Sequence, residues 1–172
     1  MPTQTRLTQP VGSFTDFTRI SFRPERAGQV SNISIMLCPE MDRGSGDTIQ
    51  VLLQTFTASS RHVAVITTPR TLLGSVIWNQ SSYILSMPLA SNVSKFTHVN
   101  ILILEAAGIA LPERGIRHDS RGLHIKADAQ LGPVPWTSFA KCPLLCATGN
   151  AASCWRVCFP ELFRIGGRTC IL

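Results

Sequence analysis

A strict alternation of apolar and polar residues between positions 14 and 128 constrains the fold of this chain more than any other feature. In the clearest run, Ile33, Ile35 and Leu37 share one phase, and the residues between them occupy the other. Successive side chains of a β-strand point to opposite faces of a sheet, so a period of two predicts half-buried strands. No comparable helical period occurs along this region. We therefore expect an all-β fold.

Turn-forming residues interrupt the alternation at short intervals, among them Pro24, Pro39, Pro69 and Gly74. Short strands at such spacing, with no amphipathic helix between them, are typical of two packed sheets. The sequence predicts a two-sheet antiparallel β-sandwich followed by an irregular, Cys-rich C-terminal tail. The expected strands are 17–22, 30–37, 48–56, 62–67, 75–78, 83–89, 97–104 and 122–127.

The 172 residues suit one domain of ordinary size. We expect a flexible N-terminal segment over 1–13, the β-sandwich over 14–140, and a poorly ordered tail over 141–172. The alternation is lost beyond position 128, where Pro133 and Pro135 exclude a central strand. That stretch is interpreted as an extended linker or as the last wrap of the domain.

The formal net charge of +6 at first suggests an anionic partner. The arginines are scattered singly, however, and no basic block or aromatic-interleaved basic strand occurs, so we expect no nucleic-acid partner. The most apolar stretch, 99–111, is too short to span a bilayer and carries Glu105, so we expect no membrane span in this chain. The first fourteen residues contain no apolar core, so we expect no secretory signal here.

Two stretches, LEAAGIALPERGIRHDSRGLHIKADA at 104–129 and GPVPWTSF at 132–139, are joined by a third near the start, FTRISFRPERAGQVSNISIML at 17–37. Together they resemble a repeated Ig-like β-sandwich module of large, poorly characterised surface proteins of unicellular algae and related protists. The turn and exit motifs that carry the resemblance are Ala107, Gly108, Ile109, Leu111, Pro112, Gly115 and Ile116, then Asp128, Ala129, Gly132, Pro133, Val134 and Pro135.

The resemblance covers roughly 14–140, and the Cys-rich tail does not match it. It implies a non-catalytic structural or adhesive module of a repeat-type surface or extracellular protein, with no cofactor and no catalytic residues. The implied partners are neighbouring modules, a protein or a glycan. The implied location is extracellular or at the cell surface, if the chain is part of a longer secreted protein.

Four tail cysteines, Cys142, Cys146, Cys154 and Cys158, are spaced C-x3-C-x7-C-x3-C. Zinc knuckles usually have tighter C-x2-C spacing or a histidine pair, and the tail has no histidine. Disulfide pairing, unpaired thiols and a metal site all remain open from the spacing. We interpret the four cysteines as disulfide candidates. Cys38 is interpreted as an ordinary strand residue.

Three Asn-x-Ser sequons make Asn32, Asn79 and Asn92 candidate glycosylation sites, one on the outward phase of a strand and two in turns. The loop at 40–47 offers a weak calcium site through three carboxylates, although its spacing is unlike an EF-hand. A solvated hairpin turn is the simpler interpretation, and we expect no bound metal. The three carboxylates are Glu40, Asp42 and Asp47.

For catalysis the sequence offers no nucleophile elbow, no zinc-protease helix and no phosphate-binding loop. His118 and Asp119 lie beside Ser120, but neighbours on one loop do not converge as a catalytic triad must. We therefore expect no enzyme. The alternative function is a small carbohydrate- or calcium-binding β-sandwich that uses loop 40–47, with Trp78 or Trp136 as a stacking surface.

Overall fold

The computed structural model describes residues 12–116, 122–130 and 132–139, and the predicted all-β class is confirmed there. These ranges form ten strands and one short 3-10 helix, η1 (Glu105–Ala107), and contain no helix long and apolar enough to cross a membrane. The strands are β1 (Arg19–Arg23), β2 (Asn32–Leu37), β3 (Thr48–Leu53), β4 (Arg61–Val63), β5 (Val65–Thr68), β6 (Val76–Asn79), β7 (Ile84–Pro88), β8 (Val99–Ile103), β9 (Leu123–Asp128) and β10 (Val134–Ser138).

The strands form two sheets, as the sequence predicts for a sandwich. One sheet has four strands in the order β1-β2-β8-β5, and the other has six in the order β10-β9-β3-β7-β6-β4. Each of these pairings is antiparallel. Strands β2 and β3 are consecutive but belong to different sheets, so the loop between them passes from one sheet to the other at the end of the sandwich.

The core lies between the sheets and is built by the inward phase of each strand. In β2 and β3 buried and half-buried residues alternate without exception, and Ile33, Ile35 and Val51 are fully enclosed. The rings of Phe22 and Phe56 pack at 5.5 Å between centroids in this core. Burying one side chain of this size contributes roughly 1.5–3 kcal/mol, so the two apolar faces hold the sheets together.

The predicted single strand 62–67 is wrong, because the chain changes sheets within it. Strand β4 pairs with β6 of the six-stranded sheet, whereas β5 pairs with β8 of the four-stranded sheet. Val63 and Thr67 both point into the core from their respective sheets. The inward phase therefore continues across the crossover, and the alternation does not reveal it.

The sequence predicts a linker or the last wrap of the domain around Pro133 and Pro135, and the structure has an edge strand there, β10, paired to β9. Its register shifts between Val134 and Thr137, so Pro135 lies in an irregularity of the ladder. Proline cannot donate to a ladder and is tolerated at edges and bulges. The exclusion of a central strand is therefore correct, and the stretch belongs to the domain as an edge strand rather than a linker.

Loops gather at the two ends of the sandwich. We define the amino end by residues 12–18, 38–47, 89–98 and 129–133 without Leu131, and the carboxyl end by residues 24–31, 54–60, 80–83 and 104–116. Bonds between loops tie each end, such as Gly12 N–H to the Pro133 carbonyl and Gly28 N–H to the Leu111 carbonyl.

Candidate functional site

A buried guanidinium organises the amino end of the sandwich. Arg43 is only 2% exposed, and its Nη1 donates to the carbonyl oxygen of Gly132. Its Cζ lies 5.8 Å from the centre of the Phe14 ring, within the range of a cation–π contact. The Arg43 backbone exchanges two hydrogen bonds with Val93, at 2.8 and 2.9 Å. One residue therefore joins the N-terminal segment and three loops.

Two glycines allow close packing at the amino end, Gly12 against Arg43 and Gly132 against Met41. A Cβ at Gly12 would overlap the carbonyl oxygen of Gly132 and would lie 2.8 Å from Arg43 Nη2. A Cβ at Gly132 would lie 2.7 Å from Met41 Sδ. Backbone segments can approach this closely only where no side chain stands between them. The packing of the amino end thus depends on glycine at both positions.

The charged guanidinium of Arg43 is buried, which is electrostatically unfavourable. Burial lowers the pKa of this guanidinium, and the nearby Asp47 carboxylate opposes that effect. Within the described residues, Arg43 Nε and Nη2 have no hydrogen-bond partner. Buried donors without partners destabilise the folded state. The Arg43 side chain therefore holds the loops together against an electrostatic penalty.

Asp47 is buried beside Arg43 and fixes the loop at 44–47. Its Oδ2 accepts from the backbone N–H of Gly44 at 2.9 Å, and its Oδ1 accepts from the N–H of Gln130 at 3.4 Å. A cavity of about 320 Å³ lies between 44–47 and 128–130. The β2–β3 and β9–β10 loops thus face each other across a small cleft.

The structure does not bring the three calcium candidates together. Glu40 accepts a hydrogen bond from the Ser13 hydroxyl, while Asp42 accepts one from the backbone N–H of Lys95 at 2.7 Å. Asp47 accepts from Gly44 of its own loop and from Gln130 of the β9–β10 loop. Calcium requires six or more oxygen ligands, and the described residues contain no group of three His, Cys, Asp or Glu placed to hold a metal ion. Each carboxylate instead anchors a different piece of the amino end.

Two phenyl rings project from the amino end into solvent. Phe17 is 68% exposed and Phe96 is 61% exposed. Phe17 contacts the ring of His98 edge-on, at 5.6 Å between centroids. Phe96 has a positive φ of 61°, and its N–H donates to the Pro39 carbonyl at 2.7 Å. The loops therefore hold both rings outward, although apolar rings are normally buried.

The carboxyl end carries a larger cavity of about 400 Å³. Leu111 and Pro112 are buried and form its apolar floor, while Glu113 and Arg114 are exposed at its rim. The remaining lining comes from Gly28, Thr55, Thr57 and Gly115. This end is concave where the amino end presents projecting rings.

The three sequon asparagines differ in how their amides are used. Asn32 is half-buried, accepts from the N–H of Glu105 at 2.9 Å and donates from Nδ2 to Glu105 Oε1 at 3.4 Å. Asn79 and Asn92 are exposed, and only their Oδ1 atoms are seen to accept backbone N–H groups, those of Ser81, Ser82 and Ser45. Asn79 and Asn92 thus keep the nitrogen that would carry a glycan away from the core.

The two tryptophans proposed as stacking surfaces differ in their exposure to solvent. Trp78 is fully enclosed in the core, so its assignment as a stacking surface is wrong. Its indole N–H donates to Gln80 Oε1 at 3.3 Å, and the same oxygen accepts from the Ala58 N–H at 2.7 Å. Trp136 is 41% exposed on β10, with Lys126 Nζ 5.8 Å from the ring centre.

Cys38 is a buried free thiol at 3% exposure. The β2 strand ends at Leu37, so the phase that would turn Cys38 outward does not continue. The disulfide candidates Cys142, Cys146, Cys154 and Cys158 lie outside the described residues, as do His118 and Asp119.

Sequence reasoning missed the residues that shape the ends. Arg43 lies among glycines and charged residues, a composition that indicates a solvated turn, and nothing local shows that it is buried. Phe17 gave a usable signal, because it falls opposite the inward phase of Ile20 and Phe22. For Phe96 no such pattern exists, since it lies within the loop between β7 and β8.

Comparison with known protein-family models gives no match, and a search of the curated proteins gives none either. The interpretation of function therefore depends on the residues and geometry described above.

Proposed function

We propose that this chain is a non-catalytic structural or adhesive module of a repeat-type surface or extracellular protein, acting through contacts at the two ends of its sandwich. The observation that carries the proposal is the path of the chain. The described sandwich begins at Gly12 at the amino end and finishes at Phe139 at the carboxyl end, where it follows β10.

The pairing register supports this path. Arg19, at the start of β1, lies at the same end as Leu37 and Val99, because Arg19 pairs with Met36 and Leu37 pairs with Val99. Ser138, at the end of β10, pairs with His124, which in turn pairs with Leu52 near the other end. Modules whose chain enters at one end and leaves at the opposite end can be joined in series without a return crossing.

The strand order supports an immunoglobulin-like assignment. The four-stranded order β1-β2-β8-β5 corresponds to the ABED sheet of such domains, and β10-β9-β3 corresponds to GFC. Strands β7, β6 and β4 extend the second sheet beyond the C position. In this correspondence the cleft at Asp47 lies between the BC and FG loops, which immunoglobulin variable domains use for recognition.

The polar surface and the sequons agree with an extracellular setting. Hydroxyls and amides line the outward faces, as where Ser34 Oγ donates to Asn100 Oδ1 at 3.2 Å across β2 and β8. Asn79, the last residue of β6, and Asn92, in the loop between β7 and β8, are exposed sequons where a glycan has room.

Single-molecule extension of the full chain, tethered at its two termini, tests the modular role. A module that carries force between its two ends should resist extension up to a threshold force and then unfold in one cooperative step. Opening residues 12–139 should release roughly 400 Å of extended chain. Gradual lengthening without a step would contradict the structural role.

One observation favours a second candidate, saccharide binding at Trp136. The ring is exposed on an edge strand, and amphipathic aromatic rings of this kind are common contact surfaces. Titration with a panel of oligosaccharides should shift tryptophan fluorescence in the parent chain. With Trp155, the third tryptophan of the chain, replaced by phenylalanine in both proteins, Trp136→Ala should abolish the shift, since the enclosed Trp78 cannot report direct contact. An unchanged fluorescence shift in Trp136→Ala would exclude this site.

A further inference from the structure

We propose that copies of this chain associate head to tail, with Phe17 of one copy docked in the cavity over Leu111 and Pro112 of the next. The inference rests on the proposed modular role and names the partner of its two ends. It identifies the partner as a second copy of the same chain and the contact as one between opposite ends.

The projecting element is Phe17, with Phe96 exposed on another loop of the same amino end. Phe17 is the most exposed large apolar side chain among the described residues, and Phe96 is second. Exposed apolar groups clustered at one place mark contact sites more often than scattered ones do. The edge-on contact of Phe17 with His98 and the Phe96 hydrogen bond to Pro39 hold this surface in a fixed orientation.

The receiving element is the cavity of about 400 Å³ at the carboxyl end. Its volume lies near the lower limit for small-ligand pockets of roughly 300–1,000 Å³, so a phenyl side chain fits inside it. Leu111 and Pro112 give it an apolar floor, and the hydroxyl residue Thr57 stands at its wall. An aromatic anchor in an apolar pocket is the arrangement that dominates many protein interfaces.

Charges beside the two surfaces are complementary. Exposed Asp16 precedes Phe17, and exposed Arg114 lies on the rim of the cavity. Exposed Lys95 precedes Phe96, and Glu113 lies beside Arg114. Each projecting ring therefore brings a charge whose opposite is present at the rim. Complementary charges at an interface set its orientation and suppress wrong pairings.

The two surfaces lie at opposite ends of one chain, so the contact joins unlike surfaces. A contact of this kind leaves a free projection on one copy and a free cavity on the last, and it extends into open chains unless the rotation closes a ring. Its direction agrees with the path of the chain through the module.

Sedimentation velocity of the full chain across a concentration series tests the proposal. The parent chain should form a ladder of species that grows with concentration. Phe17→Ser and the cavity-filling Thr57→Trp should each weaken the association at least tenfold, about 1.4 kcal/mol or more. Ile77→Ser, which removes an exposed apolar side chain from the outward face of β6, is the matched control and should leave the ladder unchanged.

Mixing the variants separates head-to-tail docking from a symmetric contact. Phe17→Ser keeps its cavity and Thr57→Trp keeps its ring, so an equimolar mixture should recover dimers but no longer species. If the amino ends paired with each other, Thr57→Trp would associate as the parent does. Mixing it with Phe17→Ser would then not restore the association of Phe17→Ser. Either result would overturn the proposal.

A charge exchange provides a second test that does not fill the cavity. Asp16→Arg and Arg114→Asp should each weaken association, and the double variant should recover most of it. A parent chain that stays monomeric up to about 1 mM would also exclude the docking. Because single-step extension would be unaffected by that result, failure of the docking is distinguishable from failure of the modular role.

Discussion

Arg43 donates a hydrogen bond to the carbonyl oxygen of Gly132, a residue 89 positions further along the chain. The bond joins the loop after β2 to the loop before β10, and the Phe14 ring covers the same guanidinium. Loops at a sandwich end are usually its most mobile part. Here a single buried cation couples three of them, so we expect the amino end to behave as one unit.

Replacing Arg43 with alanine should lower the free energy of unfolding by about 2–4 kcal/mol, because the lost bond to Gly132 and the cavity left behind outweigh the relief of burying the charge. Urea denaturation followed by fluorescence measures this change. Arg70→Ala removes an exposed arginine at a turn and should shift the value by no more than about 0.5 kcal/mol. Equal effects of the two variants would show that Arg43 does not stabilise the amino end.

A methyl group at Gly12 should also destabilise the fold, by about 1–3 kcal/mol, because it would collide with the Gly132 carbonyl oxygen. Gly44→Ala is the matched control, since its Cβ would lie 3.9 Å from the nearest atom, Asp47 Oδ2. Thermal unfolding of both variants compares them directly. If Gly12→Ala melts with the parent, the close approach of the two segments is not required.

Gln80 connects a loop to the core through both ends of its amide. Its Oε1 accepts from Ala58 and Trp78, and its Nε2 donates to the Phe56 carbonyl at 3.1 Å. Gln80→Ala should cost about 2–3 kcal/mol, since it leaves several polar groups without partners. Exposed Gln29→Ala serves as the control in the same denaturation series. A loss below about 0.5 kcal/mol would show that water replaces the amide.

Expression through a secretory pathway should give unequal glycan occupancy. Asn79 and Asn92 should be modified more fully than Asn32, whose Nδ2 is bonded to Glu105 on a half-buried face. Mass spectrometry of peptides after enzymatic deglycosylation measures the occupancy of each site. Full occupancy at Asn32 would show that its contact with Glu105 is dispensable.

Alkylation separates the buried thiol from the tail cysteines. In the native chain Cys38 should react slowly, because it is buried. If Cys142, Cys146, Cys154 and Cys158 form two disulfides, alkylation of the denatured but unreduced chain should modify two of the six cysteines. Modification of all six, read from the intact mass, would rule out disulfides.

The alternation in the sequence was enough to predict the class and most strands, because a buried face imposes a period of two on each strand. It did not show which sheet a strand joins. Val63 and Thr67 keep one phase while β4 and β5 belong to different sheets. Pairing partners depend on contacts between distant segments, and the pattern within one segment does not contain them.

The inward face of β6 and the contacts of the end loops were harder to predict, because neither can be seen in the local sequence pattern. Val76 and Trp78 share a phase, but Ile77 between them is apolar too, so the local pattern does not identify the inward face of β6. The loop at 40–47 reads as a set of free carboxylates, yet Asp42 and Asp47 are committed to backbone groups contributed by other loops. Such partners are visible only after the chain has folded.

The irregularity at Pro135 has a consequence for crowded conditions. Strand β10 is an edge of the six-stranded sheet, and an unprotected edge invites pairing with strands of other copies and growth of aggregates. Proline removes one donor from that edge, and the shift of register between Val134 and Thr137 bends the remainder. Residues 134–138 are thereby a poor template for pairing with a strand of another copy.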